Sequence, residues 1–356
     1  MGVHLGDFAQ ARTLQWSELT NKVVAVDAYN TLYQFLSSIR QADGTPLMDS
    51  KGRMTGHLTG LFYRSVKWLE AGVKPVFVFD GKPPELKRRT LNERKERKVI
   101  AEENRLSAIE EGRTEDAKRY AQQTSKLTPE MAAQAKSLLD ALGIPHLQAP
   151  SEGEAQAAEL VINGSAWASA SQDFDSLLFG CPRLVRNLSV SGRRKVPRKN
   201  DYIQVEPELL ELDALLKANS LTRPQLIWLG MLVGTDFNTG VMGIGPVKAM
   251  KLVAGADSFK TIIARLPESA QSKKSEIDGE SIAGLEAWEE IEQFFLHPPI
   301  LSAEQAKFQF RQIDQPKVVS LLCNEFDFSQ ERVTRTLDAF LKQQKEKGGQ
   351  TSLGDW

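Results

Sequence analysis

Sulfur and imidazole are scarce in this chain: its 356 residues include two cysteines, Cys181 and Cys323, and four histidines. Two cysteines so far apart build neither a disulfide framework nor a zinc knuckle, so reduced, buried thiols are expected. With so few soft donors a metal would have to be held by oxygen, which selects a hard cation such as Mg²⁺. Long apolar runs are missing too. No stretch approaches the roughly 18 residues of a membrane span, and Met1 to Phe8 carries neither the basic nor the apolar part of a secretory leader. The expectation is a cytoplasmic protein, or a nuclear one in a nucleated cell, with no membrane contact. Neither sign of charge prevails: 45 Lys and Arg stand against 46 Asp and Glu, a formal net charge of -1. Bulk charge therefore names no partner. A composition of 41% hydrophobic and 26% charged residues excludes an extensively disordered chain.

The length exceeds the roughly 250 to 300 residues at which a single core stops growing, so one large domain or two unequal ones are expected. Three short apolar runs read as buried parallel strands: Val23 to Val26, Val76 to Phe79 and Ala166 to Ser171. Each leads into an aspartate, respectively Asp27, Asp80 and Asp173. Helical periodicity lies between them, notably over Gly56 to Gly72 and over Thr128 to Gly143, the latter closed by Gly-Ile-Pro. Strands alternating with helices make an α/β sheet with right-handed crossovers. Such sheets bind ligands outside the carboxyl ends of their strands, where the three aspartates would emerge.

Two basic segments interrupt this pattern. Glu85 to Lys98 holds seven cations (Lys87, Arg88, Arg89, Arg94, Lys95, Arg97, Lys98) against three acids, and reads as a cationic helical insertion directly after Asp80. Arg186 to Lys199 carries six cations and no acid, on an expected hairpin turning at Ser191-Gly192. From Gln343 onward the chain reads as a flexible linker.

The acids are the strongest signal. Glu152 and Glu154, like Asp173 and Asp175, stand at spacing two, which on an extended segment aims both carboxylates at one point. Asp27, Asp80 and Asp236 complete the set. At an effective dielectric near 20, like charges about 4 Å apart repel by on the order of 4 kcal/mol, so convergent carboxylates must take up protons or bind cations. Acids from several strands without histidine fit two Mg²⁺ ions about 3.5 to 4 Å apart, as in phosphoryl chemistry. Each acid also has a plainer use, such as the capping box Ser151-x-x-Glu154, and capping does not exclude ligation. A second signal is Gly243-Ile244-Gly245 ahead of a helix starting near Pro246. The glycines let backbone N–H groups approach a phosphate, with Lys248 and Lys251 adding charge.

These strings resemble the archaeal and eukaryotic flap endonucleases, kin to the wider 5′ structure-specific nucleases. The matches are Val-Asp-Ala-Tyr-Asn-Thr-Leu-Tyr at 26–33, Phe-Asp-Gly-Lys-Pro-Pro at 79–84, Ala-Pro-Ser-Glu-Gly-Glu-Ala-Gln-Ala-Ala at 149–158, Ala-Ser-Gln-Asp-Phe-Asp-Ser-Leu-Leu-Phe-Gly at 170–180 and Gly-Thr-Asp-Phe-Asn at 234–238. The resemblance implies a twisted, largely parallel central sheet with helices on both faces. It also implies a helical arch over the active site at about 85–125, and a helix-two-turn-helix at about 225–254 that grips duplex DNA with help from K⁺. Residues 1–340 would form the nuclease domain and 341–356 a tail. By position, Asp80, Glu152, Glu154, Asp173 and Asp175 become metal ligands, and Asp27 and Asp236 complete the acidic set. Lys87 and Arg94 become cations that meet the scissile phosphate, with Asp173 counted among the catalytic groups. DNA contacts fall on Gly2, Tyr33, Arg64, Lys67, Gly243, Gly245 and Lys248. Gln350, Leu353 and Trp356 match the motif that binds the sliding clamp PCNA.

The activity implied is Mg²⁺-dependent hydrolysis at the base of 5′ DNA flaps by a monomer, with accompanying 5′–3′ exonuclease activity, in replication and repair. Two alternatives stay open on the sequence: a catalytically silent junction or clamp-tethered scaffold, and a related exonuclease or junction resolvase. A haloacid-dehalogenase-type phosphatase needs an aspartate two residues after Asp27, where Tyr29 stands.

Overall fold

The computed structural model describes residues 6, 8, 10–41, 44–124, 126–190, 192–195, 201–275 and 281–351. Its framework is a seven-stranded sheet. The strands are β1 (Arg12–Thr13), β2 (Val23–Asp27), β3 (Lys74–Phe79), β4 (His146–Gln148), β5 (Ala168–Ala170), β6 (Arg183–Arg186) and β9 (Glu208–Glu211), and β7 (Gly192–Lys195) with β8 (Tyr202–Val205) forms a separate ribbon. In space the order is β1-β9-β6-β5-β2-β3-β4. The pairs from β6 through β4 are parallel; those joining β9 to β6 and to β1 are antiparallel.

Strand alternation divides the interior between the two faces. Val24, Val26, Phe77, Phe79, Ala168, Ala170, Val185 and Leu209 enter one core, while Ala25, Val76, Val78, Leu184 and Leu210 enter the other. Fully burying a Val, Leu or Phe contributes roughly 1.5–3 kcal/mol, and a one-residue slip of a central strand would send each set into the other core, where its shapes do not fit. The first face is covered by α1 (Ala28–Ser38), α2 (Gly56–Glu70) and α5 (Pro129–Ala141), with Val333, Leu337 and Phe340 of the helix Gln330–Thr351. The second is covered by α6 (Gly153–Ile162), α7 (Asp175–Leu178), α8 (Leu212–Asn219), α9 (Arg223–Val233), α10 (Pro246–Val253) and α11 (Phe259–Arg265). Helices therefore lie on both faces of a mainly parallel sheet, as expected.

Between β3 and β4 the chain leaves this body. A 3₁₀ turn at Glu85–Lys87 leads into α3 (Arg88–Glu110), which packs on α4 (Thr114–Gln123). Along its length α3 buries only Ala101 and Ala108, and Val99, Ile100, Leu106 and Ile109 stand exposed. It is polar on almost every face, held by its partner helix and by i,i+4 pairs such as Glu93–Arg97 rather than by a core. This excursion is the segment that resembles an arch.

Two local expectations change. The basic run from Arg186 is not one hairpin. Arg186 ends β6 and lies opposite Glu208 of β9, an arrangement that sets unlike charges across the ladder. The ribbon formed by β7 and β8 follows, and its turn lies outside the described residues. The segment from Gln343, expected as a linker, continues the helix Gln330–Thr351 for at least two further turns, although burial stops near Phe340.

Candidate active site

All seven acids stand where strands or helices end near one edge of the sheet. Asp27 closes β2 and caps α1, accepting the backbone N–H of Asn30 at 3.0 Å. Asp80 follows β3. Glu152 occupies the N-cap position of α6 and Glu154 its first turn. Asp173 lies between β5 and α7, Asp175 opens α7, and Asp236 sits in the turn after α9. Glycine is required beside Asp80: the Gly153 N–H donates to Asp80 Oδ1 at 2.7 Å, and a Cβ there would stand 2.6 Å from the same oxygen. Any side chain at 153 would push Asp80 out of place.

Two cations reach in from the arch base. Lys87 Nζ lies 2.5 Å from Glu152 Oε2 and 3.3 Å from Asp236 Oδ2, and Arg94 Nη2 lies 2.5 Å from Asp236 Oδ1. Burial alone would raise the Asp236 carboxyl, but Lys87 and Arg94 outweigh it and hold it below its ordinary value. Burial works against the Lys87 charge, yet Glu152, Asp236 and Asp80 raise its ammonium above the usual range. Asp80 and Glu152 are raised by burial despite Lys87.

Glu154 and Asp27 are pushed the other way. Glu154 is pushed well above the ordinary range by burial, then by Asp175, Asp27 and Asp173. Asp27 is pushed up by burial and by Asp80 and Asp173. These mutual influences run through all seven groups, which makes them a single electrostatic unit. Part of the Glu154 side chain reaches the surface, but its Oε1 is enclosed and takes no hydrogen bond. Among the described residues, no three His, Cys, Asp or Glu side chains form a group that would hold a metal as they now stand. Lys87 and Arg94 account for this on one side, since they engage the oxygens of Glu152 and Asp236. The donor set still fits a hard cation: it is all oxygen, it repels itself, and it includes an enclosed carboxylate oxygen with no donor.

The other expected residues lie on separate elements. Tyr33 is exposed on α1, with Lys98 Nζ of the arch 5.0 Å from its ring centroid. Arg64 and Lys67 sit one turn apart on α2, Lys67 exposed. Gly243 and Gly245 form an open turn before α10, and Lys248 Nζ donates to the Gly243 carbonyl at 2.9 Å. Buried Asn238 ties the segment after α9 to its surroundings: its Nδ2 donates to the carbonyls of Met231 and Gly284, and its Oδ1 accepts from Thr235. Gln350 falls within the helix Gln330–Thr351, and Gly2, Leu353 and Trp356 lie outside the described residues. Sequence reasoning missed Asn30, Ser171, Arg186 and Asn238. Only Asn30 left a readable signal, standing three residues after a strand-ending aspartate.

Carboxylates gathered at the carboxyl ends of parallel strands, with cations poised above them, define an enzyme class that cleaves phosphate esters. Comparison with known proteins narrows this. The XPG N-terminal domain model matches residues 1–101 and the XPG I-region model residues 143–236. The flap endonuclease 1 of Hyperthermus butylicus is 48% identical over 362 residues, covering 100% of this chain and 99% of that protein. The solved flap endonuclease-1 from Methanococcus jannaschii superposes with a TM-score of 0.72 at 35% identity, over 97% of this chain and 100% of that one. The catalytic core of Rad2 in complex with DNA substrate superposes with a TM-score of 0.68 at 26% identity, over 95% and 100%. This chain belongs to the flap endonuclease family.

Proposed function

We propose that this protein is a structure-specific endonuclease that hydrolyses a DNA phosphodiester at the base of 5′ flaps, with 5′–3′ exonuclease activity, in DNA replication and repair. One observation carries the reading: seven carboxylates from separate parts of the chain form one electrostatic unit, and Lys87 and Arg94 enter it from a cationic two-helix excursion. Two Mg²⁺ ions held among Asp27, Asp80, Glu152, Glu154, Asp173, Asp175 and Asp236 would supply water activation and neutralisation of the leaving oxygen. The protein's own part is orientation and charge. Lys87 and Arg94 exchange their carboxylate partners for the non-bridging oxygens of the scissile phosphate, stabilising charge that builds in the transition state. Gly153 holds Asp80 in place through its N–H.

DNA recognition is by shape and backbone. The turn at Gly243 and Gly245 offers N–H groups and the start of α10 to a phosphate, Lys248 adds charge, and a K⁺ ion at this turn would bridge protein and DNA. Tyr33 presents an exposed ring for stacking at the unpaired end, and Arg64 with Lys67 offers backbone charge. The tail residues Gln350, Leu353 and Trp356 engage the sliding clamp PCNA. The enzyme acts as a monomer in the cytoplasm of an archaeal cell; no described helix is long and apolar enough to cross a membrane.

The test is a cleavage panel of 5′-flap, nicked, gapped and four-way DNA with mapped products, with and without Mg²⁺. Cleavage confined to Mg²⁺ and centred on the flap base supports the reading. Binding without cleavage under every condition would instead identify a silent junction-binding scaffold.

A further inference from the structure

We propose that Asn30 is a positioning residue that ties the loop after β2 to the loop after β5 and fixes the Asp27 and Asp173 carboxylates for cation loading. The inference rests on the nuclease reading above and adds a residue to its site.

Asn30 stands in the first turn of α1 and touches both loops through three groups. Its backbone N–H donates to Asp27 Oδ1 at 3.0 Å, its Nδ2 donates to Asp173 Oδ2 at 3.0 Å, and its Oδ1 accepts the Gln172 N–H at 3.4 Å. The amide orientation is chemically forced. A flip would turn its oxygen toward a carboxylate and its N–H₂ toward an N–H, losing both bonds. Asn30 and Asp173 are 143 residues apart in sequence, yet β2 and β5 are neighbours with Val26 opposite Ala170, so this one side chain spans adjacent strand ends.

The main chain of Gln172 is held at its carbonyl as well. Arg186 Nε donates to the Gln172 carbonyl at 3.1 Å, and its guanidinium lies 4.3 Å from the ring centroid of Phe174. The main chain just before Asp173 is therefore held at its N–H by Asn30 and at its C=O by Arg186. Ser171 adds a further tie, accepting the Asp173 N–H at 3.2 Å and donating to Asp27 Oδ2 at 3.4 Å. An amide is suited to this post: it donates to the Asp173 carboxylate without adding charge to a crowded anionic centre, and so orients Asp173. Groups behind metal ligands act in this way, and their loss typically costs 10–100-fold in metal affinity or activity.

The test compares wild-type protein with Asn30→Leu, which keeps the branched outline of the side chain and removes both polar groups. Mg²⁺ is titrated calorimetrically without DNA, and 5′-flap cleavage is followed in single and multiple turnover. The expected result is Mg²⁺ affinity weaker by about tenfold and kcat lower by about 10- to 100-fold, with KM within about twofold of wild type and an unchanged metal-free melting temperature. Asn30→Ala serves the same purpose should Asn30→Leu not be recovered folded. Arg186→Leu, acting on the adjacent peptide of the same residue, Gln172, should shift the Mg²⁺ titration in the same direction. Wild-type Mg²⁺ affinity and kcat in the Asn30 variants, or a loss confined to KM, would overturn the proposal. A wild-type protein that bound Mg²⁺ yet cleaved no flap would overturn the nuclease reading and leave the positioning role to be judged by the titration.

Discussion

The two ends of the acidic row are built from the same residue types and end in opposite electrostatic states. At the arch end, Asp236 faces Lys87 and Arg94 and is held below its ordinary value. At the α6–α7 end, Glu154 faces Asp175, Asp27 and Asp173 and is pushed well above it. The difference arises from one structural choice: the arch delivers cations to one side only. The compensated end keeps its charge with internal partners, whereas the uncompensated end must gain a proton or a cation. On the proposed reading, a site that concentrates its electrostatic cost on one side would keep that side ready for divalent ions without requiring seven bare charges in the resting protein.

The largest break in this contrast should come from Asp173→Asn. If Asp173 holds Mg²⁺ as proposed, its loss from a centre worth several kcal/mol of charge stabilisation should lower single-turnover flap cleavage by about 10³-fold, with flap binding largely kept. Lys87→Ala strikes the other end, and loss of one charge-stabilising donor should slow cleavage by about 10²- to 10³-fold at saturating flap. A defect confined to binding would contradict the role given to Lys87.

Glu154→Gln and Asp236→Asn should act in opposite directions on the metal-free protein. The first removes an unfavourable buried charge and should raise the melting temperature by about 2–4 °C for each kcal/mol relieved. The second leaves Lys87 and Arg94 short of a partner and should destabilise by roughly 1–3 kcal/mol. Their pH trends should also diverge. The folded protein retains a proton on Glu154 that the unfolded chain gives up near its ordinary value of 4.5, so the stability linked to Glu154 falls as pH rises through the elevated folded value. The advantage of Glu154→Gln therefore grows with pH in EDTA. Asp236 is depressed in the folded protein, so its contribution is present above its ordinary value of 3.8 and is lost as pH falls. Thermal melts in EDTA from about pH 2.5 to pH 8 test both signs, the Asp236 loss falling below 3.8, and parallel curves for the two variants would erase the distinction. The smallest expected effect is that of Lys248→Ala, remote from both ends: duplex binding should weaken uniformly across sequences, and the salt slope should fall by about 1.

Much of the site was legible because local rules placed it. A short apolar run followed by an acid, repeated after β2, β3 and β5, marks strand ends. The spacing of Glu152 with Glu154, and of Asp173 with Asp175, marks paired carboxylates. The basic run after Asp80 was legible as an insertion because it has no apolar face to bury. The run from Arg186 misled for the converse reason: cations at the end of a strand look like a loop unless the partner strand is known, and Glu208 arrives from much later in the chain. The helix beyond Gln343 was missed because Gly348 and Gly349 weaken local propensity, while a helix already docked through Val333, Leu337 and Phe340 can propagate past its buried segment.

The sequence alone determined which residue types were available for chemistry, that they sit at strand and helix ends, and that oxygen must hold any metal. It could not determine which acids stand close enough to repel one another, or that Asn30 and Arg186 both hold the main chain of Gln172. Those relations join residues more than a hundred positions apart or on separate strands, and they arise only when parallel pairing sets β2 beside β5 and the arch folds back over the sheet edge. Electrostatic energy depends on distance through space, and distance along the chain carries almost none of that information.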